Sequence, residues 1–371
     1  MVTQPQHEPR YPVLPLFERF GRLRDRVPHV PLGEWPTPVV EAPNFARAHG
    51  LDSLHVKRED LSHAACGGNK VRGLEFLLAH ARSLDAKSLL VFGPAGSHHV
   101  SRTAFHAKKF HMRTTAVIID QPMADYVRAN LASGIHAGVQ YVRANYLTLL
   151  PKLMQWRSRL SSGDHGPCAY VPAGGSTPLS CLGHVNAALE LRRQIDSGIL
   201  PPPDFIYVAL GSLGTAAGLA LGCQIAGLDA RVVGVVASYK WYCTRGRWRR
   251  LSNRTLRFMR RRDKAVPHLP VHSKGIFVIR SARGKRYAVP TESGTRLAKE
   301  MQTLEALDMD GTYTGKTLDG MIQFIKKQKV QNKRHLFWHT FDRLPQTKLA
   351  GAQIPEVLKD YFQIENVELR T

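Results

Sequence analysis

The chain has 371 residues, 43% of them hydrophobic, so it can bury a sizeable core and is long enough for two domains rather than one. Its formal net charge is +23, from 52 Lys and Arg against 29 Asp and Glu, which points to anionic ligands or partners. No apolar run approaches the roughly 20 residues of a membrane helix. Residues 1–10 are polar with no apolar signal core, and the five scattered cysteines, with no C-x-x-C pair, fit neither a disulfide framework nor a zinc knuckle. A soluble, reduced, cytoplasmic protein with no membrane partner is the expectation.

In chain order, hydrophobic periodicity predicts a helix over Val71–Ser83, a strand over Ser88–Gly93, a helix over His99–Phe110, a strand over Thr114–Ile119, and a helix over Asp125–Ser133. Helix Leu182–Ser197, strand Phe205–Leu210, helix Thr215–Ala226 and strand Arg231–Ala237 follow, then helices Ser293–Glu305 and Leu318–Gln328 and strand Leu336–Thr340. The strands are continuous apolar runs, the mark of strands buried on both faces, and their alternation with helices implies an α/β fold of mostly parallel sheets covered by helices. Turn-rich breaks fall at Ser161–Gly166 and at Gly198–Asp204, the second holding three prolines.

Five segments carry chemistry, the last of them His339-Thr340, which closes the final apolar strand. In Gly67-Gly68-Asn69-Lys70, glycines precede a lysine at the start of an amphipathic helix. The helix dipole disfavours a charged ammonium there and favours the neutral amine, the nucleophile of Schiff-base chemistry. Gly211-Ser212-Leu213-Gly214-Thr215 follows a strand and opens a small-residue helix, the geometry that offers backbone N–H groups to a phosphate; its spacing is not that of a dinucleotide fold. Gly93–His99 again joins a strand to a helix, with Ser97 at the helix start and His98 beside it. His99 and His106 share a helix face but have no carboxylate at ligand spacing, so no metal site is expected. Thr312–Met321 holds Tyr313, Thr314 and a Gly-Lys-Thr that lacks the glycine spacing and the preceding strand of a nucleotide P-loop. A different signal lies in Lys240–Lys264, where nine arginines are interleaved with Trp241, Tyr242, Trp248 and Phe258 and Asp263 is the only acid. It reads as a basic insertion over 240–272, a solvated surface with weak polyanion binding through 240–264.

Taken together and in order, these segments resemble the fold-type II pyridoxal-phosphate (PLP) enzymes, the tryptophan synthase β-like group, and most closely its D-cysteine desulfhydrase and 1-aminocyclopropane-1-carboxylate (ACC) deaminase branch. The likeness spans roughly residues 28–345. It rests on PLG-x-x-PTP at Pro31–Pro38, KRED at Lys57–Asp60, GGNKVRGLEFLL at Gly67–Leu78, PAGGS at Pro172–Ser176 with LGHVNAALEL after it, YTGK at Tyr313–Lys316 and HT at His339–Thr340. The resemblance implies pyridoxal 5′-phosphate as cofactor and Lys70 as its Schiff-base lysine, with Asn69 beside it. It implies that Gly211, Ser212, Leu213, Gly214 and Thr215 bind the phosphate, that Ser97 and Tyr313 face the substrate as catalytic groups, that His98 stands where the branch has an asparagine at the phenolic oxygen, and that Thr340 partners the pyridine nitrogen. Thr314 and Thr340 follow the desulfhydrase pattern, where ACC deaminases carry Glu and Leu. Two glycines that follow HT in the branch are Phe341-Asp342 here.

The resemblance thus implies a two-lobed α/β enzyme with the cofactor between lobes: a large domain of 1–70 and 177–371, a small domain of 71–176, and a homodimer. The activity it implies is α,β-elimination of D-cysteine or a similar small β-substituted amino acid to pyruvate and ammonia. ACC deaminase-like or racemase chemistry is the alternative on the same scaffold. A catalytically silent homologue that binds polyanions through the basic stretch is the alternative from another class.

Overall fold

A computed structural model describes residues 12–162, 166–272, 275–341 and 353–363. It begins with two short helices, α1 (Pro15–Arg19) and α2 (Gly21–Arg26), then β1 (Val39–Glu41), α3 (Pro43–Ala48), β2 (Ser53–Arg58) and α4 (Lys70–Ser83). There follow β3 (Ser88–Pro94), α5 (His98–Lys108), β4 (Arg113–Ile119), α6 (Asp125–His136), β5 (Gln140–Ala144), α7 (Leu149–Ser162) and β6 (Cys168–Val171). The remainder comprises α8 (Cys181–Asp196), β7 (Phe205–Leu210), α9 (Gly214–Ala226), β8 (Arg231–Val236), α10 (Arg245–Arg262), β9 (Phe277–Ile279), α11 (Glu292–Glu305), α12 (Thr314–Gln328), β10 (Arg334–His339) and α13 (Lys359–Phe362).

Two compact units emerge, one of residues 12–83 and 174–341, the other of 84–173 and 353–363. The first holds a six-stranded sheet in the order β1-β2-β10-β7-β8-β9, parallel except for β1. Phe45, Val56, Tyr207, Val233, Met301, Leu318 and Phe337 pack into one core cluster of this unit. The helix α9 is buried along its whole length apart from Gln224, and its alanines and glycines let α8 approach closely. The second unit holds a four-stranded, fully parallel sheet in the order β5-β4-β3-β6. In both sheets the strands end where a loop turns into the next helix, the edge at which open α/β sheets place ligands.

The sequence-based lobe limits at 70/71 and 176/177 move to 83/84 and 173/174. The helix α4 belongs with the first unit because it packs on α8 and because its Arg72 and Glu75 are bonded to residues of that unit. Residues 353–363 belong with the second unit, where Arg143 pairs with Asp360 at 2.6 Å and the Tyr361 hydroxyl donates to Asp120 at 2.6 Å.

The basic stretch 240–272 also differs from the expectation. It is an 18-residue amphipathic helix, α10, capped at its start by Thr244, whose side chain accepts from the Arg247 N–H. Trp248, Ser252, Thr255, Leu256 and Met259 are buried on the side that meets α9, and the Ser252 hydroxyl donates to the Ala217 carbonyl at 3.0 Å. Only the opposite face is a solvated arginine surface. Trp248 is fully buried and therefore unavailable for stacking on a ligand.

Candidate active site

The site of the first unit begins with α4, whose first residue is Lys70. The Lys70 ammonium donates to the Gly174 carbonyl at 3.4 Å and to the Ser212 hydroxyl at 3.5 Å. Three remote pieces of sequence, the expected cofactor lysine, the PAGGS segment and the glycine turn after β7, therefore meet at one amine. Gly174 has a positive φ of 61°, and a Cβ there would lie 2.2 Å from Ser212 Oγ, so only glycine fits. Ser176 donates to Ser212 Oγ at 2.7 Å and accepts from the Gly214 N–H at 3.1 Å, bolting the PAGGS segment to the start of α9.

The turn itself is a strained strand-to-helix corner. Leu213 caps α9 in the left-handed region at φ 73°, which a branched side chain adopts only at a cost of about 1–3 kcal/mol. Such strain persists where surrounding packing over-determines it. The result is that the first N–H groups of α9, which have no intrahelical partner, point out of the turn beside the hydroxyls of Ser176, Ser212 and Thr215. Asn69 donates to Thr215 Oγ1 at 2.7 Å, and His184 Nε2 lies 3.4 Å from the same oxygen. Burial, reinforced by Arg72 and Lys70, pushes the His184 pKa well below the ordinary range, so this imidazole is neutral; its Nδ1 has no hydrogen-bond partner. Burial pushes the Cys181 thiol, which lies 3.5 Å from the Gly214 carbonyl, up to about 12 and keeps it from acting as a thiolate.

What fixes α4 is a buried charge network. Arg72 is forked onto Glu59 at 2.7 and 2.8 Å and onto Glu190 at 2.9 and 3.0 Å, with its guanidinium 3.9 Å from the Trp35 ring centroid. Lys57 donates to the same Glu190 at 2.5 Å and to the Thr37 carbonyl at 2.7 Å. Although burial works against it, the charges of Arg72 and Lys57 hold the Glu190 carboxyl at about 2. One turn further along α4, Glu75 accepts from the N–H groups of Leu32 and Gly33 and from the Trp35 indole. The helix that presents Lys70 is thereby held against rotation and sliding.

Tyr313 stands at the other side of the turn. A Cβ on Gly211 would be 3.2 Å from the Tyr313 ring, and the Tyr313 hydroxyl is 2.9 Å from that of Tyr287. Thr314 is placed differently from the expectation. It is fully buried, and its hydroxyl donates to the Asp310 carboxylate at 2.8 Å and accepts from the Asp310 N–H at 2.7 Å. Asp310 also accepts from the N–H groups of Thr312, Tyr313 and Thr314, so Asp310 and Thr314 together shape the start of α12 next to Tyr313. Thr340 is half-buried at the end of β10. Continuing the register that pairs Phe337 with Tyr207, it falls level with Leu210, one residue before the glycine turn. Its predecessor His339 is buried between the Asp60 carboxylate at 2.9 Å and the Asp308 carbonyl at 2.8 Å. Phe341 stacks on that His339 ring at 5.6 Å, which places it on the strand face opposite Thr340. Asp342 lies outside the described residues.

Ser97 and His98 lie in the second unit, at the corner between β3 and α5. Ser97 is the N-cap residue of α5 but spends no side-chain bond on capping, and its Oγ would be 2.9 Å from a Cβ on Gly93. The Gly96 backbone is held by Gln121 at 3.1 Å and Asn130 at 3.0 Å. Gln121 donates in turn to the Tyr126 hydroxyl at 2.9 Å, and the Tyr126 ring stands 5.9 Å from that of half-buried His98.

An amine, a nest of N–H groups and three hydroxyls gathered at one glycine turn suit a ligand that carries both an aldehyde and a phosphate. The family model described as "Pyridoxal-phosphate dependent enzyme" matches residues 30–340. The chain belongs to the pyridoxal-phosphate-dependent enzyme family. Its cofactor is pyridoxal 5′-phosphate, and its fold is that of the fold-type II members. It is 30% identical to a Pyrococcus abyssi protein provisionally named a 1-aminocyclopropane-1-carboxylate deaminase, across 91% of this chain and 98% of that one. It is 29% identical to a D-cysteine desulfhydrase of Klebsiella pneumoniae, across 85% of this chain and 94% of that one. A crystal structure of an ACC deaminase homologue superposes with a TM-score of 0.74 at 26% identity, covering 89% of this chain and 94% of the other. No helix among the described residues is long and apolar enough to cross a membrane.

Several site residues escaped reading from the residues alone. Ser176 and Gly174 sit inside the PAGGS motif that marked the family likeness, yet the motif gives no hint that they meet the glycine turn after β7. His184 and Tyr287 carry no local signal.

Proposed function

We propose that this enzyme is a lyase for a small β-substituted amino acid, with D-cysteine as the leading substrate, releasing hydrogen sulfide, pyruvate and ammonia with uptake of one water. The observation that carries this reading is the placement of Lys70 Nζ within 3.5 Å of Ser212 at the phosphate turn. When bound, the cofactor supplies the electron-withdrawing ring that lets a Cα–H bond ionise. Lys70 would hold the cofactor's aldehyde carbon and, once released from it, move the proton at Cα. Asn69 and the 211–215 turn would orient the cofactor, with Ser176 locking the turn and His98 facing the phenolic oxygen. Ser97 is the second proton-transfer group, and Tyr313, steadied by Tyr287, would contact the substrate.

Thr340 offers a neutral hydroxyl, not a carboxylate, at the pyridine nitrogen. A ring that is not held protonated is a weaker electron sink and suits expulsion of a good leaving group such as a thiol from the β-carbon. Because Thr314 is committed to Asp310, Thr340 alone carries the contrast with the ACC deaminase pattern. The test is product analysis on the PLP-loaded enzyme with D-cysteine, L-cysteine and ACC. Sulfide and pyruvate in equal amounts from D-cysteine are expected. Ring opening of ACC to 2-oxobutanoate without sulfide release from D-cysteine would replace this reading with the deaminase one. Racemised substrate without keto acid would replace it with racemisation. A homodimer, implied by the branch resemblance, is checked by the mass in solution.

A further inference from the structure

From the exposed face of α10 we infer that the protein carries a binding surface for single-stranded nucleic acid, independent of its amino-acid chemistry. Arg250, Arg254, Arg257 and Arg261 are spaced four, three and four residues apart, so they line one face of the helix over roughly 16 Å. Among the described residues, none of these four is ion-paired with an acid. Asp263, the one acid of the stretch, is buried and accepts from the Ala265 N–H. The neighbouring helix α2 adds more positive charge: its Arg26 donates to the Arg262 carbonyl at 2.9 Å, setting another cation at the C-terminal end of α10. Burial, with the charge of Arg261 adding to it, lowers the Arg262 pKa.

The aromatics select among polyanions. Trp241 is 66% exposed at the start of this surface, and Arg247 lies over both its ring, at 5.4 Å, and that of Tyr242, at 4.8 Å. An exposed indole braced by a guanidinium is a platform for an unpaired base, while the arginine row beyond it tracks the phosphates. An anionic membrane fits less well. The apolar face of α10 is already buried against α9, so the helix has no free apolar side to insert into lipid. Duplex nucleic acid would use the arginines but leave Trp241 without a base to stack on.

The experiment is fluorescence anisotropy of labelled oligo-dT and oligo-U of about 20 nucleotides with the PLP-loaded enzyme over a KCl series. The unlabelled competitors are a duplex of the same length, heparin, polyglutamate and phosphatidylglycerol vesicles. Binding is expected to weaken with salt, with a log–log slope of about −3 for four contacts at about 0.7 each. The variant R250E/R254E/R257E is expected to lose at least ten-fold in affinity and to flatten the slope by about 2, at about 0.7 per contact. Trp241→Ala is expected to lose about ten-fold with the slope unchanged. These side chains are exposed, so both variants should keep the wild-type PLP absorbance, which checks folding. No binding at 50 mM KCl overturns the inference, as does binding that the triple variant leaves intact. Competition by duplex, heparin, polyglutamate or vesicles as strong as by oligo-dT, with no effect of Trp241→Ala, also overturns it. A preference between oligo-dT and oligo-U identifies the strand.

Discussion

Lys70 Nζ lies 3.5 Å from Ser212 Oγ, although 142 residues separate them along the chain. Neither residue reaches that position by its own preference. Lys70 is aimed by a helix whose next turn is forked onto two buried glutamates, and Ser212 by a strained corner that Ser176 and Gly174 close from the other side. The amine and the glycine turn are thus held in place by contacts within the protein itself.

Ser176→Ala removes both the bond to Ser212 and the acceptor for the Gly214 N–H. A net hydrogen bond contributes about 0.5–1.5 kcal/mol, so PLP affinity should fall about two- to thirteen-fold. Titration of the PLP-free protein by fluorescence checks this. An unchanged dissociation constant would remove Ser176 from the cradle.

Arg72→Met leaves Glu59 and Glu190 buried without their shared partner and should destabilise the fold by about 3–5 kcal/mol. Adding Glu190→Gln should restore part of that loss. The network also sets an acid limit. Glu190 is depressed in the folded state to about 2 from an ordinary 4.5, so its stabilisation is complete above about 4.5 and disappears as the pH falls towards 2. Urea midpoints at pH 7, 5 and 3 should be level between the first two and drop at the third. A midpoint rising from pH 5 to pH 3 would contradict the sign.

Thr314 and Thr340 should respond differently to the same substitution. Thr314→Val breaks the bonds to Asp310 and should cost about 1–2 kcal/mol of stability, with the visible spectrum of the bound cofactor unchanged. Thr340→Val should leave stability nearly intact and shift that spectrum. If the Thr314 variant moved the spectrum and the Thr340 variant did not, their roles would be exchanged.

The helix α10 is half core and half surface, so position within it decides the outcome. Trp248→Ala should destabilise by about 3–5 kcal/mol by opening a cavity against α9, whereas Arg254→Ala should change stability by less than about 0.5 kcal/mol. Deleting 241–264 should accordingly cost the fold itself, PLP binding included. Denaturant unfolding of the two point variants distinguishes a structural helix from an appendage.

The sheets were legible where strands are buried on both faces. FIYVAL matches β7 residue for residue, and the predicted strands at 88, 114, 231 and 336 coincide with β3, β4, β8 and β10 within two residues at either end. Strands with mixed patterns were not legible. β2, SLHVKR, contains Lys57 and Arg58; the burial of Lys57 depends on Glu190, far away in sequence, and that of Arg58 on Asp60, two residues further along. α10 hid its periodicity because its buried face mixes Ser252 and Thr255 with Trp248, Leu256 and Met259 among nine arginines. The starts of α4 at Lys70 and of α9 at Gly214 were readable because glycine spacing and helix starts are local features. The Ser176 and His184 contacts are tertiary and leave no trace in local pattern. The family likeness gives Thr314 a ligand, whereas the structure shows its hydroxyl bonded to Asp310, four residues earlier.

The most direct test of the Lys70 assignment is borohydride reduction of the PLP-loaded enzyme followed by peptide mass mapping, run on the wild type and on Lys70→Ala. The wild type should carry a single reduced adduct on Lys70, and the variant, still folded and still able to bind PLP without a covalent bond, should carry none. An adduct mapped to another lysine in the wild type, or one that persists undiminished in the variant, would contradict the assignment of this amine to the cofactor.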